Sequence, residues 1–297
     1  MFDLLLIDAN NLCHRVHWAH RTLMYRNRAV GCLYGFFRSL ISFRKKYPDA
    51  FIAVVWDHKS KRRLAESKAG VEKGVIPGYY KENRDTREKP EGYEAMKAQM
   101  LELHDEALPL VKVFQVEVEG YEADDVIYTY ALKHKKRGGR VIVVSSDQDF
   151  LQLLDEDVYV FDAMKDILWS RKRFLMEFGF EPGLWVDVGA LMGDKSDNIF
   201  GVDGWGPVTA NKYVSRYGTV DQIVEAVRAK SKKTKKEQVL LDSGERLALA
   251  RSLKAMDVVP EVPKLRFVRR YLPEPVEAYF IENRFASLLK DVHRLVG

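Results

Sequence analysis

Carboxylate side chains are concentrated in two short stretches near the middle of the sequence. The first provides Glu122, Asp124 and Asp125, and the second provides Asp147 and Asp149. Carboxylates that lie close together raise one another's pKa, so a fold that holds them ionised needs a compensating positive charge. Mg²⁺ is commonly held by a few carboxylates together with waters and phosphate oxygens. The two stretches therefore predict a site for divalent cations, unless these acids only complement or cap helix N-termini.

Predicted strands place further acids at the same edge of a sheet. The strands and the acids that follow them are Leu4–Ile7 with Asp8, Phe51–Trp56 with Asp57, Val111–Val118 with Glu122, and Val141–Val144 with Asp147. In open α/β sheets the binding crevice lies at the carboxyl ends of the strands. One acid at a strand end is ordinary turn chemistry, but four in one unit indicate a common site. We therefore predict an α/β fold with a central, mainly parallel sheet and flanking helices.

Composition narrows the class of protein. The 297 residues are 46% hydrophobic, which suits one elaborate domain or two, and the net charge of +5 favours an anionic partner. The two cysteines form no CxxC pair, so neither a disulfide framework nor a cysteine zinc site is expected. No segment approaches the ~20 apolar residues of a membrane span, and the N-terminus lacks a signal peptide's basic region. We expect a cytoplasmic protein without membrane contact.

A basic segment follows the second strand-end acid. Residues 58–89 contain ten Lys or Arg against five Asp or Glu and are interrupted by glycines and Pro77. Such an insertion beside a site predicts a mobile lid or clamp, with a solvated surface loop as the alternative. Tyr79 and Tyr80, predicted to be exposed among cations, would suit stacking on single-stranded bases. Residues 90–110 then indicate an amphipathic helix that leads back to the sheet.

From about residue 180 the pattern becomes helical. A helix over Leu184–Met192 precedes Asp194 and Asp197, and these two acids precede a glycine-rich turn. The turn contains Gly201, Gly204 and Gly206, and Lys212 lies on the helix that follows. Glycines allow the backbone to approach an anion closely, and a helix N-terminus favours phosphate. The arrangement predicts a phosphate cradle built from a helix, a hairpin and a second helix.

The stretch over residues 230–237, here called the lysine segment, contains five lysines. Two interpretations remain open for it. It is either a solvated, mobile segment or a contact to DNA.

Taken together, the order of these motifs resembles the 5′-nuclease family, which includes bacteriophage flap endonucleases and the 5′-nuclease domain of bacterial DNA polymerase I. The matching residues run from Asp8 to about residue 212 and comprise Asp8, Asp57, Glu122, Asp124, Asp125, Asp147, Asp149, Asp194, Asp197, Gly201, Gly204 and Gly206. No polymerase follows, so a stand-alone enzyme of the bacteriophage type is expected. The resemblance implies a PIN-like catalytic domain over residues 1–178, with a helical arch at about 58–105. It assigns residues 179–297 to a helix-hairpin-helix DNA-binding region and C-terminal helices.

The same resemblance implies a chemistry. Two divalent cations, Mg²⁺ or Mn²⁺, would be held by the nine acids and would support hydrolysis of a phosphodiester near a 5′ end, and a potassium ion would bind the hairpin. The arch pattern of the family matches Tyr80, Lys81 and Arg84, so Lys81 and Arg84 would stabilise charge on the scissile phosphate. Whether Arg62 or Arg63 matches the arginine at the base of the arch stays open.

The expected partner is DNA with a 5′ end, such as a flap, a nick or a branched duplex, or an RNA–DNA hybrid. The enzyme is expected to act as a monomer in primer removal and repair, beside a replication polymerase or a single-strand-binding protein. A haloacid-type phosphatase is disfavoured, since it needs an Asp where Asn10 stands. A PIN-type ribonuclease would lack the arch and the hairpin. A non-catalytic binder of branched nucleic acid would have lost acids that are all present.

Overall fold

The computed structural model describes residues 2–267 and 270–297. Within these residues, one sheet of six strands has the order β5-β4-β1-β6-β7-β8, and a separate two-stranded hairpin pairs β2 with β3. The strands are β1 Leu4–Asp8, β2 Met24–Tyr25, β3 Arg28–Ala29, β4 Phe51–Val55, β5 Phe114–Val116, β6 Val141–Val144, β7 Val158–Asp162 and β8 Ile167–Trp169. Among the described strands of the large sheet, β8 pairs antiparallel with its neighbour and the other pairs are parallel. The predicted fold class, a mainly parallel sheet with helices, is confirmed.

Helices cover both faces of this sheet and form the C-terminal region. They are α1 Ala9–Ala19, α2 Gly31–Lys46, α3 Lys61–Glu72, α4 Glu82–Thr86, α5 Tyr93–Glu102, α6 Ala123–Lys135, α7 Arg171–Phe178, α8 Trp185–Met192, α9 Pro207–Tyr217, α10 Val220–Arg228, α11 Lys235–Asp242, α12 Gly244–Lys254, α13 Pro273–Glu282 and α14 His293–Val296. Shorter 3₁₀ turns lie at Leu108–Leu110, Gln148–Leu153, Pro182–Leu184 and Ala286–Asp291, and a π-helical turn at Leu103–Ala107.

Strand β1 shows why the sheet is buried on both sides. Leu5 and Ile7 pack into a core shared with α1, α2 and the C-terminal helices α13 and α14. Leu4 and Leu6 point to the opposite face, into a core shared with α6 and α8–α12. An apolar run without polar alternation is the sequence signature of a parallel strand covered on both faces. The two layers fix the strand ends, and with them the acids that follow.

The arch segment is helical, as the resemblance implied, and differs from the interpretation that its glycine pattern suggested. Instead of a mobile, glycine-punctuated loop, most of its first part is the twelve-residue helix α3, which Ser60 caps by accepting a hydrogen bond from Arg63 N at 3.1 Å. Gly70 lies inside this helix because α12 approaches it: a Cβ added there would lie 2.6 Å from Leu249 Cδ2. That glycine therefore marks close packing between two helices rather than flexibility.

Several boundaries also differ from those predicted. The strand expected over Val111–Val118 is reduced to β5, and the helix expected over residues 90–110 changes from α to π and then 3₁₀ geometry after Glu102. Pro109 explains part of the second change, because a proline cannot donate to a continuing α-helical ladder.

Within residues 2–267 and 270–297, none of the helices has the length and apolar character of a transmembrane span.

Candidate active site

A polar cavity of about 260 Å³ opens at the carboxyl ends of the central strands. Of the predicted site residues, those lining it are Asp8, Asp57, Tyr80, Lys81, Arg84, Glu122, Asp124, Asp147, Asp149 and Asp197. Asp125 and Asp194 do not line it. The sheet thus brings together acids from four strand ends, with the basic residues of the arch beside them.

Hydrogen bonds from backbone N–H groups and from one serine hydroxyl hold the first two acids in place. Asp8 ends β1 and caps α1, since its carboxylate accepts hydrogen bonds from Asn11 N and Ser145 Oγ, each at 3.0 Å. Asp57 follows β4 and accepts a hydrogen bond from Ala123 N at 3.0 Å, at the first turn of α6. Each carboxylate keeps acceptor capacity that these bonds do not use, because an ionised carboxyl group accepts at both oxygens.

Glu122 connects the sheet edge to the arch. Its carboxylate accepts hydrogen bonds from Lys81 Nζ at 2.7 Å, Tyr80 OH at 2.8 Å and Arg63 Nη1 at 2.9 Å. Lys81 has a left-handed backbone conformation, with a φ of 58°. Residues other than glycine rarely adopt this conformation, and those that do are concentrated at functional sites. The arch lysine is therefore positioned by a backbone turn and an ion pair together.

Arg63 settles which arginine enters the acid cluster. It is only 1% exposed and forms ion pairs with Glu122, Asp124 and Asp125 at 2.9–3.1 Å. Asp125 is fully buried and accepts a further hydrogen bond from Asp257 N at 2.7 Å, which turns it away from the cavity. Arg62 instead pairs with Asp257 and with Ser252 of α12. Neither arginine is free to reach a ligand in this conformation.

A buried lysine from α12 holds the second group of acids. Asp147 accepts a hydrogen bond from Asp149 N at 2.8 Å and so caps the 3₁₀ turn after β6. Lys254, 7% exposed, donates to Asp149 at 2.6 Å and to Asp194 at 3.1 Å. Asp197 binds the guanidinium of Arg84. The acids after α8 are thus tied to the sheet edge through Lys254 and to the arch through Arg84.

The acid cluster carries more negative charge than its surroundings balance easily. Burial raises the pKa of Asp8 to about 7, and Asp57 and Asp147 add to this, while the hydrogen bond from Asn11 opposes it. Burial also raises the pKa of Asp149 to about 7, although Lys254 opposes the shift. An all-oxygen donor set of this charge fits hard divalent cations.

The acids do not converge on one point, however. Among the residues that the structure describes, no three acidic, histidine or cysteine side chains are grouped so as to hold a metal ion directly. The ion pairs explain this, because Arg63, Lys81 and Lys254 lie between carboxylates. A divalent cation in the cavity would therefore share carboxylates with these groups or contact them through water.

A second cavity, of about 430 Å³, adjoins the first beneath the arch. Its cationic lining comes from Lys59, Lys68, Lys81, Arg84 and Lys89, and its aromatic lining from Tyr79, Tyr80 and Tyr93. The predicted exposure of Tyr80 is wrong: it is 4% exposed and its hydroxyl donates to Glu122, so its ring belongs to the core. Tyr79 is half-buried, with Lys68 Nζ 5.8 Å from its ring centroid, and keeps an accessible edge.

The glycines of the hairpin have different roles. Gly201 is required by packing, since a Cβ there would lie 2.3 Å from Gly193 N. Gly204 has a φ of 77° and lies in open space, and Gly206 immediately precedes α9 without a side-chain cap. Lys212 is exposed on α9. Gly204 and Gly206 therefore leave backbone N–H groups at the start of α9 accessible to an anion.

Sequence reasoning did not find several residues of the cavity wall. They are Asn10, Asn11, His14, Phe150, Ile199, Leu253 and Lys254. Asn10 and Asn11 follow a strand-end acid, so their proximity was readable from the chain. No local sequence signal marked Lys254, because it reaches the site from α12 and lies 105 residues after Asp149 in the chain.

Comparison with known proteins identifies the family of this chain. Residues 3–179 match the family model described as 5′-3′ exonuclease, N-terminal resolvase-like domain, and residues 180–267 match 5′-3′ exonuclease, C-terminal SAM fold. A 5′-3′ exonuclease from Aquifex aeolicus is 30% identical over 99% of this chain and 96% of its own length. A thermostable DNA polymerase I from Thermus filiformis is 33% identical over 99% of this chain, which spans 33% of that polymerase.

A solved structure shares the fold. The flap endonuclease of bacteriophage T5, determined in a complex with DNA and metal ions, superposes with a TM-score of 0.68 at 22% identity, covering 98% of this chain and 97% of that one. The two matching family models together cover residues 3–267, which include the residues of the acid cavity and the hairpin. The chain therefore belongs to the 5′-3′ exonuclease family of nucleases.

Proposed function

We propose that this nuclease is a structure-specific 5′-nuclease, which hydrolyses DNA phosphodiesters as a flap endonuclease and 5′-3′ exonuclease in replication and repair. The observation that carries the proposal is the contact between the arch and the acid cavity. Lys81 and Arg84 of the arch bind Glu122 and Asp197, whose backbones belong to the sheet edge and to the loop after α8. The basic side chains that would bind phosphate and the carboxylates that would bind metal ions thus line the same cavity.

Two divalent cations, Mg²⁺ or Mn²⁺, fit the nine acids in this proposal. Asp8, Asp57, Glu122, Asp124, Asp147 and Asp149 would hold them from the sheet edge, and Asp197 from the loop after α8. Asp194 would support Asp149 through Lys254, and Asp125 would support Asp124 through Arg63. Such cations activate water and stabilise charge on the attacking and leaving oxygens. The donor set supports this assignment because it contains carboxylate oxygens and no cysteine.

The basic residues have separate roles in the proposal. Lys81 and Arg84 would leave their carboxylate partners for the scissile phosphate and stabilise its developing charge. Lys254 would stay in place as a positioning residue that keeps Asp149 beside Asp194. The difference follows from burial, because Lys254 is 7% exposed whereas the side chain of Arg84 is 50% exposed.

DNA binding is assigned to the hairpin and the arch. Gly201, Gly204, Gly206 and Lys212 would hold duplex phosphates, with a potassium ion at the hairpin, and Tyr79 would contact an unpaired base. Two features support the assignment: the accessible start of α9 and the T5 flap endonuclease with the same fold in a complex with DNA.

The proposal also covers the roles of the two parts of the chain, the protein partner and the cellular location. We assign residues 1–178 to catalysis and residues 179–297 to the DNA-binding hairpin region and the C-terminal helices, of which α13 and α14 pack against the catalytic sheet. Because polymerases I of Thermus contain a matching region, a replication polymerase or a single-strand-binding protein is the proposed partner. The protein would act as a monomer in the cytoplasm, or in the host cytoplasm if phage-encoded, and would accept RNA–DNA hybrids as well as DNA.

Cleavage of a 5′-flap substrate should require a divalent cation. We expect full activity with Mg²⁺ or Mn²⁺, and binding without turnover with Ca²⁺, because the cavity offers oxygen donors and raised carboxylate pKa values. The measurement is single-turnover cleavage of a labelled flap beside its RNA–DNA hybrid counterpart, with chelator as the control. Undiminished cleavage in excess chelator would contradict the metal assignment.

A blocked 5′ end should slow cleavage. The second cavity adjoins the acid cavity and is lined by cationic and aromatic side chains of the arch, so we expect the free 5′ strand to pass through it. A flap whose 5′ terminus carries a bulky protein block before enzyme is added should be cut far more slowly than the free flap. Blocking after the enzyme has bound is the matched control and should have little effect. Equal rates for all three substrates would remove the threading role from the arch.

A further inference from the structure

The lysine segment is fixed against the hairpin rather than free in solvent. Trp205 of the hairpin is 4% exposed, and its indole N–H donates to the carbonyl of Lys236 at 3.2 Å. Lys236 Nζ in turn reaches Thr209 Oγ1, on the first turn of α9, at 3.5 Å. The start of α11 therefore lies directly beside the start of α9.

A buried glutamate anchors the segment from below. Glu237 is 2% exposed, accepts a hydrogen bond from Tyr213 OH of α9 at 2.8 Å, and pairs with Lys230. It also completes a capping box by accepting from Thr234 N at 2.8 Å. Losing a buried hydrogen bond to a charged group costs about 1.5–3 kcal/mol, so this arrangement holds the segment in one position.

The remaining lysines of the segment face outward without acidic partners. Lys232, Lys233, Lys235 and Lys236 are exposed, and within the described part of the chain none of them lies at ion-pairing distance from a carboxylate. Lys212 of α9 is exposed and unpaired in the same sense. Like charges held this close repel one another, and a polyanion would relieve that repulsion.

We infer that the outward lysines of the lysine segment and the start of α9 form one surface that binds the phosphate backbone of duplex DNA. The inference rests on the proposed function and extends it to four residues that no motif of the sequence assigned. Residues 231–236 include no aromatic side chain, and single-strand sites rely on aromatic stacking. Lysines without aromatics or a hydrogen-bonding array suit sequence-independent phosphate contacts.

The position along the chain indicates which DNA the surface meets. The hairpin begins within a few residues of Asp197, which lines the acid cavity. DNA that enters the cavity at a 5′ junction would therefore pass the hairpin first and the lysine segment next. The surface would extend the contact along the duplex arm and would leave the single-stranded flap untouched.

The salt dependence of binding tests this inference. In the variant K232Q/K233Q/K235Q, the slope of log Kd against log salt for a flap substrate in chelator should fall by ~2.7, about 0.9 for each lost phosphate contact. The matched control K133Q/K136Q/R137Q removes the same charge from the exposed C-terminal end of α6, which runs away from the cavity. Its slope should stay close to wild type. Equal slopes for both variants, or an unchanged slope for the lysine variant, would overturn the inference.

Two further measurements separate this inference from the proposed function. Shortening the duplex arm stepwise from its far end should bring the wild-type and lysine-variant affinities together once the arm no longer reaches the segment. Persistence of the difference on the shortest arm would contradict a duplex contact. Cleavage of the same flap with Mg²⁺ by the wild type reports on the proposed function alone. If the wild type cleaves while the lysine variant keeps the wild-type slope, only the inference fails.

Discussion

Replacing Lys81 with alanine is expected to lower kcat by ~10²-fold or more, with little change in DNA affinity. Removing one electrostatic donor to a developing charge typically has an effect of this size. Lys81 Nζ lies 2.7 Å from Glu122 and lines both cavities, so it is within reach of a phosphate held by cations that the acids bind. Its backbone is left-handed, with a φ of 58°, a conformation that glycine adopts with less strain, so the lysine is held there at a conformational cost.

Single-turnover cleavage and gel-shift affinity, measured on the same flap, check this prediction. Lys61→Ala is the matched control: Lys61 begins α3, pairs with Glu119 on the surface with its side chain 70% exposed, and lines neither cavity. It should cleave at nearly the wild-type rate. A normal single-turnover rate for Lys81→Ala would exclude that residue from the active site.

The variant Asp147→Asn is expected to lose cleavage by ~10³-fold, at the upper end of the range for a single electrostatic group, while branched-DNA binding is kept. Asparagine caps a helical turn about as well as aspartate, so the hydrogen bond from Asp149 N should survive. The substitution thus removes the charge that faces the cavity and leaves the fold intact. Asp166→Asn, at an exposed turn with a φ of 52°, is the control and should be silent.

The contrasting variant is Asp125→Asn. From the sequence, Asp125 and Asp147 would be equivalent ligands, but Asp125 is buried against Arg63 and Asp257 N. Its neutralisation should lower the free energy of unfolding by about 2 kcal/mol, as for a lost hydrogen bond to a charged group. It should also reduce cleavage, because Arg63 contacts both Asp125 and Asp124. Thermal unfolding beside the cleavage assay separates the two. If Asp147→Asn lowers Tm as much as Asp125→Asn does, Asp147 is a structural residue.

Local sequence was enough to predict where the acids lie. Four consecutive apolar residues before Asp147, and similar runs before Asp8 and Asp57, identify strands buried on both faces. Parallel strands present their carboxyl ends at one edge, so acids that follow them must meet. Local sequence did not predict every strand length: β5 is shorter than the strand predicted over Val111–Val118, and as an edge strand it pairs only with β4.

The order of motifs along the chain also identified the family, and the matched family models confirm it. The sequence identified the arch as a basic insertion, but its glycines wrongly predicted a loop where the structure has the helix α3. Gly70 allows α12 to pack on α3, and this reason for a glycine cannot be read from α3 alone. Tyr80 was placed outside for the same reason, since its partners Glu122 and Asp197 lie 42 and 117 residues away.

The set of acids, the sheet edge at which they gather and the family all follow from the sequence. How the charges of these acids are balanced depends on the packing of distant helices. Arg63 rather than Arg62 enters the cluster, across a separation of 59 residues from Glu122, and Lys254 joins Asp149 to Asp194 across separations of 105 and 60. Strand ends follow from local periodicity. A buried ion pair depends on which distant helix faces the site, and only the packing of α3 and α12 determines that.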